Sequence, residues 1–193
     1  MAKIEKIVTL LLVGEAGLPK KYHNLPLAKQ FEQAKKTGWA DDPDDSGGQT
    51  MCGITIGTYK TYCRRKGYPT PTGLSLKNIS YERWLDVLKT MYWDRWKADK
   101  IENQSIANIL VDWVWASGSY GITIPQRLLG VQQDGNVGPK TLEALSYHPQ
   151  QTFFNEVVTA RKKYIEDIIR KRPANAKFRK GWLNRINSFT FEA

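Results

Sequence analysis

The segment LLLVGEAG, Leu10 to Gly17, closes an apolar run with a carboxylate. Ile4, Ile7, Val8, Leu11 and Leu12 recur at helical spacing, and Glu15 is the next position on that stripe. Lys3, Glu5 and Lys6 fall on other sides of the same helix. A charge on a buried stripe is costly unless it is paired or used. One use is proton donation: glycoside hydrolysis needs a carboxylic acid that stays protonated near neutral pH and delivers its proton to the leaving oxygen. An apolar setting and the negative end of a helix both favour the protonated form of a carboxyl. Glu15 meets both conditions if the helix ends near Gly17. Taken alone, the spacing also fits a glutamate turned to solvent at a frayed helix end.

A second group of candidates stands in DDPDDSGGQT, Asp41 to Thr50. Asp45 is a candidate for activating water or stabilising positive charge on a sugar, with the Thr50 hydroxyl orienting that water. Gly47 and Gly48 permit a tight turn and the close approach of a saccharide to backbone. A solvated acidic turn has the same composition. Outside these two segments, Asp112 is the only charge within ILVDWVWA, where a buried carboxylate held by Arg, Trp N–H or backbone amide is expected. Trp113 is a candidate for stacking on a sugar face, although Trp at helical spacing also serves a core. Asp134, in DGNVG, stands in an ordinary Asp-Gly turn pair and is a further binding candidate.

Taken together, these residues carry a resemblance. Glu15-Ala16 after an apolar helix, followed by GWADDPDDSGGQTMCGIT (Gly38 to Thr55), resembles glycoside hydrolase family 108, the N-acetylmuramidases that include phage endolysins and secretion-activator-like proteins. That family's pattern is a helix leading into E-G-G-[YF], then N-D-P-x-D-x-G-G-x-T-x-x-G-[IV]-T. YWDRWKADKIENQSIANILVDWVWASG and PQRLLGVQQDGNVGPKTLEAL resemble the predicted peptidoglycan-binding region found with it. The resemblance covers about Ile4 to Leu145. It implies a lysozyme-like fold and cleavage of the β-1,4 bond between N-acetylmuramic acid and N-acetylglucosamine. Glu15 would be the acid, Asp45 and Thr50 would assist, and Gly47, Gly48, Trp113 and Asp134 would contact substrate. In the family the glutamate lies close before the hairpin, whereas here Leu18 to Thr37 stand between them, making Glu32 a rival acid. Glu32 lies among Lys29, Gln33, Lys35 and Lys36, a setting that suits a solvated helix face.

The elements that must position these residues are mainly helical. LAKQFEQAKKTG reads as a short helix ended by Gly38, and the acidic, glycine-rich segment as a small β-hairpin. Ser80 caps a helix carrying Trp84, Leu85, Leu88 and Met91. SIANILVDWVWASG, apolar on nearly every side, reads as a central buried helix. Pro125 opens another helix, and Pro139 stands in the first turn of the next. Phe153 to Ile169 form a long amphipathic helix broken at Pro173, and Phe178, Trp182, Ile186 and Phe189 mark a last one. The fold class expected is mainly α (α+β), lysozyme-like, with one small hairpin near the N-terminus. Residues 1–97 form the muramidase region and 98–193 a helical peptidoglycan-binding-like region, packed together as one globule.

Composition narrows the partners. The chain has 193 residues, 41% hydrophobic, with a formal net charge of +10, which favours anionic partners such as wall polymer, nucleic acid or acidic membrane. No helix-turn-helix, RNA-binding or zinc-finger pattern supports nucleic acid. Peptidoglycan glycan strands are the expected partner of a monomeric protein. Two cysteines, Cys52 and Cys63, and two histidines lack metal-ligand spacing, so no metal or organic cofactor is implied. The run Ile7 to Val13 is too short to span a bilayer and lacks an export-signal cleavage site. The expectation is synthesis in the cytoplasm and action at the wall after release. A wall-binding or secretion-accessory protein that keeps the fold without catalysis is the alternative function.

Overall fold

The apolar stripe of the first helix buries as its periodicity requires. In the computed structural model, which describes residues 1–41 and 48–193, helix α1 spans Glu5–Ala16 and buries Ile7, Val8, Leu11, Leu12 and Ala16. Gly17 ends it in the left-handed conformation at φ 62°. Its N–H donates to Val13 and the Leu18 N–H to Leu12, which satisfies two carbonyls of the last turn. The chain divides into two compact units, Ile4–Asp94 and Met1–Lys3 with Arg95–Ala193. Both are mainly helical, and the first carries a small three-stranded antiparallel sheet, so the fold class is mainly α and lysozyme-like.

In the first unit, the residues after α1 fold back on it. Helix α2 (Leu27–Ala34) buries Gln30, Phe31 and Ala34. Buried Gln30 ties the excursion together: it donates to the His23 and Leu25 carbonyls and accepts from the Thr9 hydroxyl of α1. Strands β1 (Trp39–Ala40), β2 (Thr50–Met51) and β3 (Ile54–Thr55) pair in sequence order, Trp39 opposite Met51 and Met51 opposite Ile54. The tight turn of the hairpin is Cys52-Gly53, with φ 45° and 82°, a two-residue connection in which both residues have positive φ. The expected Gly47 turn falls among residues 42–47, outside the described residues. Helices α3 (Ile56–Lys66), α4 (Gly73–Lys77) and α5 (Tyr81–Leu88) complete the unit. Ser80 caps α5, accepting from the Arg83 N–H at 3.2 Å.

In the second unit, helix α6 (Gln104–Ser117) is buried continuously from Ser105 to Trp115. Its one charge, Asp112, is 1% exposed and is gripped by Arg161 at 2.8 Å and Arg185 at 2.7 Å. These arginines stand on α9 (Gln150–Lys171) and α10 (Arg179–Asn187), so one carboxylate joins three helices. Burial alone would raise the Asp112 carboxyl, but the Arg185 and Arg161 guanidinium groups outweigh it and hold it below its ordinary value. Burial also pulls Arg161 down, yet a guanidinium starts so far above neutrality that it stays charged.

Helix α7 departs from the sequence expectation. It runs Tyr120–Leu128, so Pro125 lies inside it rather than opening it. Proline lacks the N–H that would bond the carbonyl four residues earlier. That carbonyl, on Gly121, accepts from the Trp96 indole N–H at 3.0 Å, which removes the cost of the broken bond. Gly121 also lets α6 and α7 touch: a Cβ there would stand 2.4 Å from the Val114 nitrogen and 2.5 Å from the Trp113 carbonyl carbon. Helix α8 (Pro139–Tyr147) starts with Pro139 at its first position, as expected.

Two measurements check this account. Gly121→Ala forces two backbones apart and is expected to cost about 1–3 kcal/mol in a chemical denaturation curve, the range for overpacking. Asp112→Asn breaks a buried pair and is expected to cost about 3–5 kcal/mol. Because the folded carboxyl is held low, its contribution is full above the ordinary carboxylate value and is lost as pH falls through the folded value. The Asn variant should therefore show a shallower acid limb than the wild type when unfolding is followed against pH.

Candidate active site

The first unit brings three chain segments to one point. The Thr37 hydroxyl donates to the Ala16 carbonyl at 2.7 Å, so the chain returns from its excursion to the end of α1. Gly38 follows, and a Cβ on it would lie 2.5 Å from the Cys52 sulfur, 2.9 Å from the Ala34 carbonyl oxygen and 3.2 Å from the Ala16 Cβ. Only a residue without a side chain lets the ends of α1 and α2 and the hairpin turn meet this closely. The turn is fixed from two further sides: the Cys52 N–H donates to the Gly38 carbonyl at 2.8 Å, and the Trp84 indole donates to the Cys52 carbonyl at 3.1 Å.

Glu15 stands in the last turn of α1, half-buried, one residue before Ala16. Its charge reaches the Cys52 thiol. Burial first, and then the negative charges of Glu15 and more weakly Glu32 against the opposing Lys35, push that thiol up to about 12. The helix-end glutamate and the hairpin are thus neighbours despite the residues between them in sequence. Glu32 is exposed on α2, flanked in sequence by lysines, as its setting suggested.

The other candidates are placed as follows. Asp45 and Gly47 lie outside the described residues. Gly48 has φ 59°, a conformation glycine adopts without strain, and its carbonyl accepts from the Thr50 hydroxyl at 3.1 Å. Thr50 is half-buried in β2, opposite Ala40 and Thr55. In the second unit Trp113 is 1% exposed, with Arg161 over its ring at 5.6 Å and Tyr164 at 6.2 Å, so it packs the interior of α6. Asp134 is exposed but occupied: the Asn136 N–H and the Gln126 amide both donate to it and hold its carboxyl below the ordinary value. Gln126, fully buried, also accepts from the Gly135 N–H and donates to the Asn136 carbonyl, so this turn is braced from inside the fold. Among the described residues no group of three His, Cys, Asp or Glu is placed to hold a metal ion, and no helix is long and apolar enough to cross a membrane.

Sequence reasoning missed Gly38, Cys52 and Trp84 as positioning residues. A signal existed for the turn: Cys-Gly between two short β-prone pairs is a two-residue hairpin connection with glycine second. The sequence marks Gly38 as a helix end and Trp84 as an apolar helix position, but not their contacts with Cys52, which lies far from both along the chain.

The mainly helical frame with its small antiparallel sheet is a lysozyme-like fold. A solved structure, that of Brucella abortus SagA, shares this fold with a TM-score of 0.72 at 23% sequence identity, over 95% of this chain and 89% of that one. Residues 32–118 match the Glycosyl hydrolase 108 family, and residues 120–187 match the Predicted Peptidoglycan domain. The chain carries, by these two matches, a glycosyl hydrolase 108 domain followed by a predicted peptidoglycan-binding region. It is a glycoside hydrolase of peptidoglycan. No curated protein matches it. The matched hydrolase residues begin at Glu32, so Glu15 lies outside them.

The thiol offers a check on this geometry. At neutral pH a thiol with a value near 12 holds almost no thiolate, the form that alkylates. Cys63 is buried as well, with burial again pushing its thiol up. Iodoacetamide at pH 8 should leave the native chain unmodified, by intact mass, and label both cysteines once denaturant is added. Rapid labelling of Cys52 in the native chain would contradict the packing at Gly38.

Proposed function

We propose that the chain is an N-acetylmuramidase that cleaves the β-1,4 bond between N-acetylmuramic acid and N-acetylglucosamine, with Glu15 as the general acid. The observation that carries this reading is the position of Glu15: the last turn of an apolar helix, with its charge felt at the turn of the hairpin. A proton donor needs partial shielding from water and access to the glycosidic oxygen, and a half-buried residue at a helix end has both. Asp45 and Thr50 act on the opposite side of the reaction, through water or through charge on the sugar. The return of Thr37 to Ala16 removes the objection that Leu18 to Thr37 separate acid from hairpin. Hydrolysis is assigned to residues 1–97 and wall recognition to residues 98–193. The protein acts on wall reached after release from the cytoplasm.

Glu32 supplies the competing assignment, because the family match begins there. Glu15→Gln keeps the shape of the side chain and removes its proton. It is expected to lower turnover on purified cell walls by about 10²–10⁴-fold, the usual contribution of general acid catalysis. Glu32→Gln is expected to be nearly silent. The digest should show N-acetylmuramic acid at the new reducing ends by mass spectrometry. Reducing-end N-acetylglucosamine would reject the muramidase reading, and an inactive Glu32→Gln with an active Glu15→Gln would move the acid to Glu32.

A further inference from the structure

The second unit has a cavity of about 120 Å³, open at one side, between α6, α9 and α10. Its apolar walls come from Ile165, Ile168, Ile186 and the ring of Trp182, and its polar side from Ser117, Tyr164 and the two arginines that hold Asp112. The volume is several times the ~30 Å³ share of one water, yet below the ~300 Å³ of a pocket that swallows a drug-sized molecule. It suits a substituent of a few heavy atoms carried on something larger outside.

The chemistry of the lining narrows that substituent. Asp112 already accepts from both guanidinium groups, so a second carboxylate would be drawn beside the first and repelled by it. A neutral group escapes this penalty. The Ser117 and Tyr164 side chains line the same cavity, and hydroxyls both donate and accept. An amide offers the complementary C=O and N–H, and a methyl beyond the amide would meet the isoleucines and Trp182. We propose that this cavity takes the acetamido group of an N-acetylated hexosamine, with the sugar ring outside against the half-exposed Trp182. The proposal rests on peptidoglycan as the partner and adds the chemical group by which the second unit recognises it.

The test is calorimetric titration of the full chain with two neutral oligosaccharides, tetra-N-acetylchitotetraose and cellotetraose, which differ in the acetamido group. The wild type should bind the acetylated oligomer at least tenfold more tightly. Ala116→Leu, at the edge of the cavity, fills it without removing a wall and should cut that affinity about tenfold. Trp182→Ala should do the same by removing the stacking face. Turbidity clearing of cell walls is measured in parallel. Clearing by the wild type together with equal binding of both oligomers, or with unchanged affinity in both variants, overturns the cavity proposal and leaves the hydrolase reading standing. Neither clearing nor binding overturns both.

Discussion

The organisation of the first unit depends on one absent side chain. At Gly38 the ends of two helices and the turn of a hairpin come within van der Waals distance, with a backbone carbonyl on one side and a sulfur on the other. Any Cβ there would have to displace the Ala34 carbonyl, which belongs to a helix and has little freedom to move. The approach of α1 to the sheet follows from this contact, and Glu15 inherits its position from the end of α1. Cys52 completes the arrangement by taking a left-handed conformation that most residues resist. Its N–H and C=O are both bonded, to Gly38 and Trp84, so the strain is held by two hydrogen bonds.

The second unit is organised on a different principle. Its central helix is apolar on almost every side, so its place is fixed largely by shape and only once by charge. A close helix contact made possible by Gly121, an indole bonded to the carbonyl left by Pro125, and a carboxylate between two arginines supply the direction that apolar packing lacks. Each device satisfies a polar group that burial would otherwise penalise. The long basic α9 can then present most of its charge to water while Arg161 alone turns inward.

Periodicity was a sound guide wherever a helix buries one face. The stripes of α1 and α9, the continuous burial of α6 and the cap of α5 at Ser80 were all readable from residue spacing, because these signals act within a few positions. The start of α7 was not readable from Pro125. Proline forbids one hydrogen bond, and whether that bond is missed depends on Trp96, which no local rule brings near it. The turn between β2 and β3 at Cys52-Gly53 was not readable for a similar reason: burial under Trp84 supports a conformation that cysteine seldom adopts alone. Asp112 was readable as a buried carboxylate in need of a partner, though not which arginines would answer. Pattern located the helix that carries Glu15, but its meeting with the hairpin was decided by contacts distant in sequence.

The excursion between α1 and β1 has a consequence for how the chain tolerates change. Its two ends are pinned together by the bond from Thr37 to Ala16, and α2 is fastened to α1 through Gln30 and Thr9. The entropy of closing such a loop grows only slowly with its length. Its exposed tip, around Lys20, Lys21 and Asn24, can therefore be lengthened, trimmed or replaced as a cassette while the stem keeps its geometry. The distance along the chain from glutamate to hairpin becomes a free variable, and relatives that differ in it by many residues can hold the same two parts in the same place.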